Sequence, residues 1–340
     1  MFLDPQFFTG LKNTSMASNL LKLHLQISKT PSTFPTHHRH RLSYLPYFIS
    51  NVPQKPNFSS LSLHASLSSP PSPPTSKEEA ILQAKTCLSS SLKKPLNNPK
   101  LAAGKLKKLK QCRFQVEIPL IDDSPSSLSQ LALDIFKDLP LKSKASLVKF
   151  LILWPDASFK EAGILAFESL MLNHVEHIDL TSVTNSPNRI SSSAEMAVFL
   201  APEASQLEII RMIAESLYPK PVVIINPRWS SEEKNNFGAM KAFVGSFEVI
   251  YSFMGLEVRG ILSKRKGVVF KCVRDGVLGG ERWEVHVEED GELKVVSRFK
   301  ARPSIEEVET VLYNLMAINS PITRSAKFLR ELVNNVYGKK

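Results

Sequence analysis

From residue 76 onward the apolar positions follow two alternating rhythms. Ile81, Ala84, Leu88 and Leu92 recur at helical spacing behind Ser76-Lys77-Glu78-Glu79, a capping box in which the Ser hydroxyl and the Glu carboxylate each accept from a free amide. Arg113 to Ile118 alternates apolar and polar and stops at Pro119, which predicts a half-buried strand. A helix over Ser127 to Leu139 comes next, and the apolar run Val148 to Trp154 predicts a strand buried on both faces. The same pattern puts a helix at Phe159 to Met171, strands at His177 to Val183 and Ala197 to Leu200, a helix at Ser205 to Leu217 and a strand at Pro221 to Ile225. Strands separated by helices of about ten residues or more require parallel crossovers. The fold class expected is therefore α/β, with a mostly parallel central sheet and flanking helices.

The rhythm changes near residue 241. Phe247 to Phe253, Glu257 to Leu262, Gly267 to Cys272, Trp283 to Val287 and Leu293 to Phe299 are short alternating runs punctuated by Asp275-Gly276, Gly279-Gly280 and Asp290-Gly291. These predict an antiparallel meander. A second capping box, Ser304 with Glu307, opens a helix whose stripe is Val308, Val311, Leu312, Leu315 and Met316, and a last helix is expected over Thr323 to Val336. The division expected is one α/β domain over 76–340, with an α/β part to 240, an antiparallel part over 241–302 and C-terminal helices over 303–340.

Residues 1–75 have neither rhythm. They hold a single acidic side chain, Asp4, among many Ser, Thr, Pro and basic residues, and end in a Ser/Pro stutter over 68–74. That composition predicts a disordered transit peptide. With only Arg39 and Arg41 among the hydroxyl residues, it fits a plastid better than a mitochondrion. Met16-Ala17-Ser18 is an alternative start, and the mature chain is expected to begin between Ala65 and Ser76.

The leader also changes the meaning of the charge. Of the net +11, +6 belongs to residues 1–77, leaving +5 for the remainder, so the overall basicity argues little for nucleic acid. The longest apolar runs, Phe150 to Trp154 and Val222 to Ile225, are far short of a membrane span of about 20 residues. The expectation is a soluble or peripheral protein in the stroma or on the stromal face of the thylakoid. Cys87, Cys112 and Cys272 are odd in number at unrelated spacings, which indicates neither a disulfide framework nor a zinc site.

Four places carry residue types capable of chemistry. Asn226-Pro227-Arg228-Trp229 follows a buried strand, where ligands gather in open α/β sheets; Arg228 could fork a carboxylate or phosphate with Asn226 and Trp229 around it. The opposing reading is a turn at Asn226-Pro227, an Arg228 paired with a local carboxylate and a Trp229 in the core. Lys105, Lys107, Lys108, Lys110 and Arg113 form a basic patch suited to acidic lipid headgroups, RNA or an acidic partner, or a solvated loop. The match to a phosphate loop at Gly104-Lys105 fails, since residue 99 is Pro and residue 106 Leu. His174 and His177 with Glu176 have a spacing metals use, but no Cys completes a set, and metal is not expected. Asp122-Asp123 with Glu117 suits acid/base work, magnesium or a helix approach, and the helix cap is favoured. No Gly-x-Gly-x-x-Gly, Gly-x-Ser-x-Gly or Walker loop occurs, so no catalytic residue is assigned and no cofactor is expected.

The order of several segments resembles a known family. Glu78-Glu79-Ala80 with Gln83-Ala84, Val116-Glu117-Ile118-Pro119, Asn226-Pro227-Arg228-Trp229, Phe247-Glu248-Val249-Ile250-Tyr251-Ser252-Phe253 and Arg302-Pro303-Ser304 together resemble the plastid and cyanobacterial domain-of-unknown-function family numbered nineteen ninety-five, over nearly all of 76–320. That family occurs in plastid proteins of the low-photosystem-II-accumulation type and as an appendage of a plastid adenylate kinase. The resemblance implies a compartment and a process, with no catalytic residues to carry over. The function expected is a non-catalytic plastid factor binding protein partners, thylakoid complex subunits among them, during photosystem or thylakoid complex assembly. The alternatives are an enzyme or sensor of a nucleotide or phosphorylated metabolite at Asn226 to Trp229, and plastid RNA binding through the lysines.

Overall fold

Proline and apolar runs set the sheet. The computed structural model describes residues 71–97, 110–120, 122–143, 146–168, 174–185, 193–229, 237–259, 264–277 and 282–318. Most of the leader, Lys105, Lys107, Lys108 and the helix expected over 323–336 lie outside the described residues. The strands are β1 (Arg113–Glu117), a small hairpin of β2 (Lys142–Ser143) and β3 (Ser146–Leu147), β4 (Phe150–Trp154), β5 (Val175–Asp179), β6 (Met196–Leu200), β7 (Val222–Ile225), β8 (Glu248–Arg259), β9 (Lys264–Cys272), β10 (Trp283–Glu289) and β11 (Glu292–Phe299). Nine of them form one sheet in the order β11-β10-β9-β8-β1-β7-β6-β4-β5. From β8 through β5 all neighbours pair in parallel, and β8 to β11 pair antiparallel. The fold is α/β as expected, with the meander continuing the parallel sheet.

The helices are α1 (Lys77–Leu96), α2 (Pro125–Phe136), α3 (Ala157–Glu168), α4 (Leu180–Asn185), α5 (Leu207–Ser216), α6 (Lys241–Gly245) and α7 (Ile305–Ile318). One core packs α1, α2 and α3 on one face of the sheet; a second packs α4, α5 and α6 on the other. On the meander, Val308 and Leu312 of α7 meet Val249, Val269, Trp283, Val285 and Val287. Each fully buried Leu, Ile, Val or Phe contributes about 1.5–3 kcal/mol, so β4 and β6, buried at every position, anchor the sheet. Gly163 lets α3 lie flat on it, since a Cβ there would fall 2.2 Å from the Trp154 ring.

Several expectations are corrected. β1 is buried on both faces: Gln115 and Glu117 are each 3% exposed, because segments far along the chain cover the polar side. The strand expected over His177 to Val183 ends at Asp179, whose carboxylate accepts from Ser182 N at 2.7 Å and Thr181 Oγ1 at 2.8 Å and so starts α4. The runs expected over Phe247 to Phe253 and Glu257 to Leu262 are joined in one strand, β8, which spans Glu248–Arg259, with residues 260–262 outside the described residues; its pleat takes up a bulge opposite Gln115 and Val116. In the first capping box Ser76 Oγ accepts from Glu79 N at 3.1 Å, but Glu79 reaches Thr75 N at 2.7 Å and Thr75 Oγ1 at 2.8 Å rather than the Ser76 amide. The second box closes as expected, with Glu307 N donating to Ser304 Oγ at 3.1 Å and Ser304 N to Glu307 Oε2 at 2.8 Å.

Candidate functional site

Four neighbouring parallel strands end the same way. β1, β6 and β7 are followed by Ile118-Pro119, Ala201-Pro202 and Asn226-Pro227, and β4 directly by Pro155. A proline cannot donate to a ladder, so pairing stops here and other groups must take over. Asn226 does so between β7 and β1. Its backbone sits at φ +50, a region Asn tolerates better than other side chains, and its amide pairs both ways with Ile118: Oδ1 accepts from Ile118 N and Nδ2 donates to Ile118 O, each at 2.8 Å.

Arg228 lies over the next strands. Its backbone N donates to Pro202 O at 2.9 Å, its Nη1 to Glu203 Oε1 at 3.3 Å, and its guanidinium stands 5.2 Å from the Phe159 ring centre. Gln206 secures the same edge, accepting from Glu203 N and donating to Pro155 O, both at 2.9 Å. Since β4 leads outward to β5 while β6 leads back to β7, their loops part at this point, where α/β sheets form ligand crevices. Trp229 is buried in the second core, edge-on to Phe237, and its Nε1 meets no acceptor among the described residues. Turn, local ion pair and core tryptophan thus all occur at this segment, with Arg228 at the topological switch.

A second polar group lies inside the fold, where β1, β8 and the segment before α7 meet. Glu117 accepts from Arg302 Nη1, Ser252 Oγ and Gln115 Nε2, each at 2.6 Å. Arg302 also reaches Met254 Sδ at 2.9 Å and stands 5.2 Å from the Trp283 ring centre. Lys271 lies 5.5 Å from the same ring and pairs with Glu248 at 3.1 Å. Ser252 beside a carboxylate has the makings of an activated nucleophile, but it is 0% exposed and its proton is committed to a Glu held by an arginine. The arrangement joins the parallel sheet to the meander.

The remaining candidates are taken up locally. Asp122 Oδ1 accepts from Ser124 N at 2.9 Å, and Ser124 Oγ caps α2 through Ser127 N at 3.2 Å; hydrogen bonds from Ser124 and Ser127 lower the Asp122 carboxyl. His177 accepts from Trp154 Nε1 at 3.1 Å and lies between the Trp154 and Phe167 rings, and burial pushes its pKa down to about 4. His174 packs on Phe150 and is lowered, again by burial. Burial tends to raise Asp179, but hydrogen bonds from Lys160, Thr181 and Ser182 with the Lys160 charge outweigh it and bring it to about 2. Among the described residues no group of three or more His, Cys, Asp or Glu converges. Of the basic patch only Lys110 and Arg113 are described. Lys110 is exposed, whereas Arg113 turns inward onto Gln111 (3.0 Å), Ser246 (2.9 Å) and the Phe243 ring.

Sequence reasoning weighed Glu117 only beside Asp122 and Asp123, and had no site role for Ser252 or Arg302. The signal was present: a polar residue on each of two largely apolar strands, Glu117 and Ser252, and an arginine before α7, Arg302, all within the segments carrying the family likeness. Those segments meet pairwise in space, Glu117 with Ser252 and Arg302, Asn226 with Ile118, and Tyr251 Oη with Gln83 Oε1 at 3.4 Å. A protein-family model described as "Domain of unknown function (DUF1995)" matches residues 74–310. Comparison with curated proteins yields no match.

Proposed function

The chain belongs to the DUF1995 family, and we propose that it is a non-catalytic plastid factor that binds protein partners and supports the assembly of photosystem or thylakoid complexes. The observation that carries the non-catalytic part is the engagement of the polar side chains at the strand ends. Asn226, Glu117, Ser252 and Arg302 satisfy one another or the backbone, leaving the sheet's carboxyl edge as scaffold. The plastid part rests on the composition of the leader. No helix among the described residues is long and apolar enough to cross a membrane, so contact with thylakoids is proposed to be peripheral.

Two measurements test this reading. A fusion of residues 1–80 to a fluorescent reporter should concentrate in plastids; a cytosolic or mitochondrial reporter removes the compartment. Affinity purification of the mature chain from stroma and from washed thylakoids should recover thylakoid complex subunits, and the protein itself should leave the thylakoids under high salt or carbonate. A stoichiometric nucleotide or RNA in their place contradicts it.

The position of Arg228 at the topological switch favours one second reading, recognition of a phosphorylated metabolite or nucleotide. Arg228→Lys keeps the charge and loses the planar fork. On the scaffold reading the Glu203 pair is partly solvated and contributes about 1 kcal/mol or less, so Arg228→Lys and Arg228→Ala both restore a strain lacking the protein. On the ligand reading both variants fold and neither restores it.

A further inference from the structure

Cys87 and Cys272 stand 185 residues apart in the chain, yet their sulfurs touch at 3.5 Å. Cys87 lies in the middle of α1 and Cys272 ends β9. The contact is pinned on both sides. One helical turn before Cys87, Gln83 accepts from Tyr251, which is the register partner of Cys272 across β8 and β9. About one turn after it, the loop leaving β9 presses on the helix: Gly276 holds φ +70, and a Cβ there would lie 2.7 Å from Ser90 O. Val273 N donates to Ile250 O at 2.9 Å and holds the chain between these points. Helix and strand end are thus held with the two sulfurs in contact, and an S–S bond of about 2.05 Å asks the sulfurs to approach by about 1.5 Å.

We propose that Cys87 and Cys272 form a reversible intramolecular disulfide that fastens the first helix to the antiparallel half of the sheet. The oxidant is a disulfide, either the active-site disulfide of a dithiol–disulfide oxidoreductase or oxidised glutathione. One cysteine thiolate attacks a sulfur of that disulfide, whose S–S bond breaks and releases one thiolate. The second cysteine then attacks the protein sulfur of the mixed disulfide and releases the other thiolate. Two protein thiols lose two electrons and two protons; the oxidant takes up both and becomes two thiols. Cys87 and Cys272 are 0% and 2% exposed, and their mutual hydrogen bond and burial raise the Cys87 thiol. Exchange therefore requires α1 to lift from the sheet, which makes both closing and reopening slow in the closed state and faster wherever the helix frays.

The test uses the full chain and its Cys112→Ser variant, treated with oxidised glutathione over a range of urea concentrations below the unfolding midpoint. Loss of two hydrogens from the monomer, a peptide pair joining Cys87 to Cys272, a rate that rises with urea and a raised Tm after urea removal are expected. Reduction with dithiothreitol should reverse all of these, and Cys272→Ala should abolish the linked peptide. Peptide mapping of the unsubstituted chain keeps the test valid if Cys112→Ser does not fold. Links that run to Cys112 or between chains, or no link at any urea concentration, overturn the proposal.

Discussion

Lowering the pH from 7 to 5 should weaken the fold through His177. Trp154 Nε1 can only donate, so the His177 Nδ1 that faces it at 3.1 Å must keep its lone pair, and the neutral ring carries its proton on Nε2. Protonating Nδ1 sets two donors against each other in a half-buried aromatic slot. Burial accordingly lowers this histidine from 6.5 to about 4. Its unfolded form binds a proton more readily than its folded form, so stability is intact above pH 6.5 and falls as the pH drops towards 4. The full shift corresponds to about 2 kcal/mol lost between pH 7 and pH 5, and partial exposure of the ring brings the expectation to about 1–2 kcal/mol. Asp179, at about 2, stays ionised throughout this window. Urea unfolding of the chain and of His177→Asn at both pH values isolates the effect, because Asn Oδ1 can accept from Trp154 without titrating. The variant should be less stable at pH 7 yet lose about 1–2 kcal/mol less than the parent on going to pH 5; equal losses in the two chains would refute the argument.

Asn226→Ala should cost about 3 kcal/mol or more in urea unfolding, since it strands the buried Ile118 N–H and C=O and forces Ala to φ +50; a cost under about 1 kcal/mol would mean that the β1–β7 junction does not depend on this amide. Asn226→Gly relieves the backbone but not the orphaned groups, and should remain destabilised in the same assay. Ser304→Ala should cost about 1 kcal/mol and speed amide exchange at Glu307 in the first turn of α7, with no change in exchange there if the cap is idle.

The succession of strands and helices was legible because β4, β6 and β7 are unbroken apolar runs and the helices between them carry clear stripes. What escaped was whatever depended on a distant partner. Gln115 and Glu117 look solvent-facing in a five-residue window, and the partners that make the burial of Glu117 affordable, Ser252 and Arg302, lie 135 and 185 residues on. The contact of Cys87 with Cys272 spans the longer of these separations and left no spacing signal. At His177 to Val183 the error was local: alternation was followed through Asp179, although Asp three residues before an amide it can cap is a helix start. At the candidate site the kinds of contact made by Asn226, Arg228 and Trp229 were foreseeable from their chemistry. That Glu203, Phe159 and Ile118 would be the partners follows from the strand order, which periodicity does not encode.

Residues carrying the family likeness are held by the fold itself, and the Glu117–Arg302 pair is the sharpest instance. A double-mutant cycle with Glu117→Gln, Arg302→Met and the two combined, read by urea unfolding at pH 7, measures it directly. Arg302→Met alone leaves a buried carboxylate without its cation and should cost about 3–5 kcal/mol, while the double variant should recover much of that, with a coupling of about 2 kcal/mol or more. Effects that add to within about 0.5 kcal/mol would show that the two side chains do not support each other, and would contradict the account.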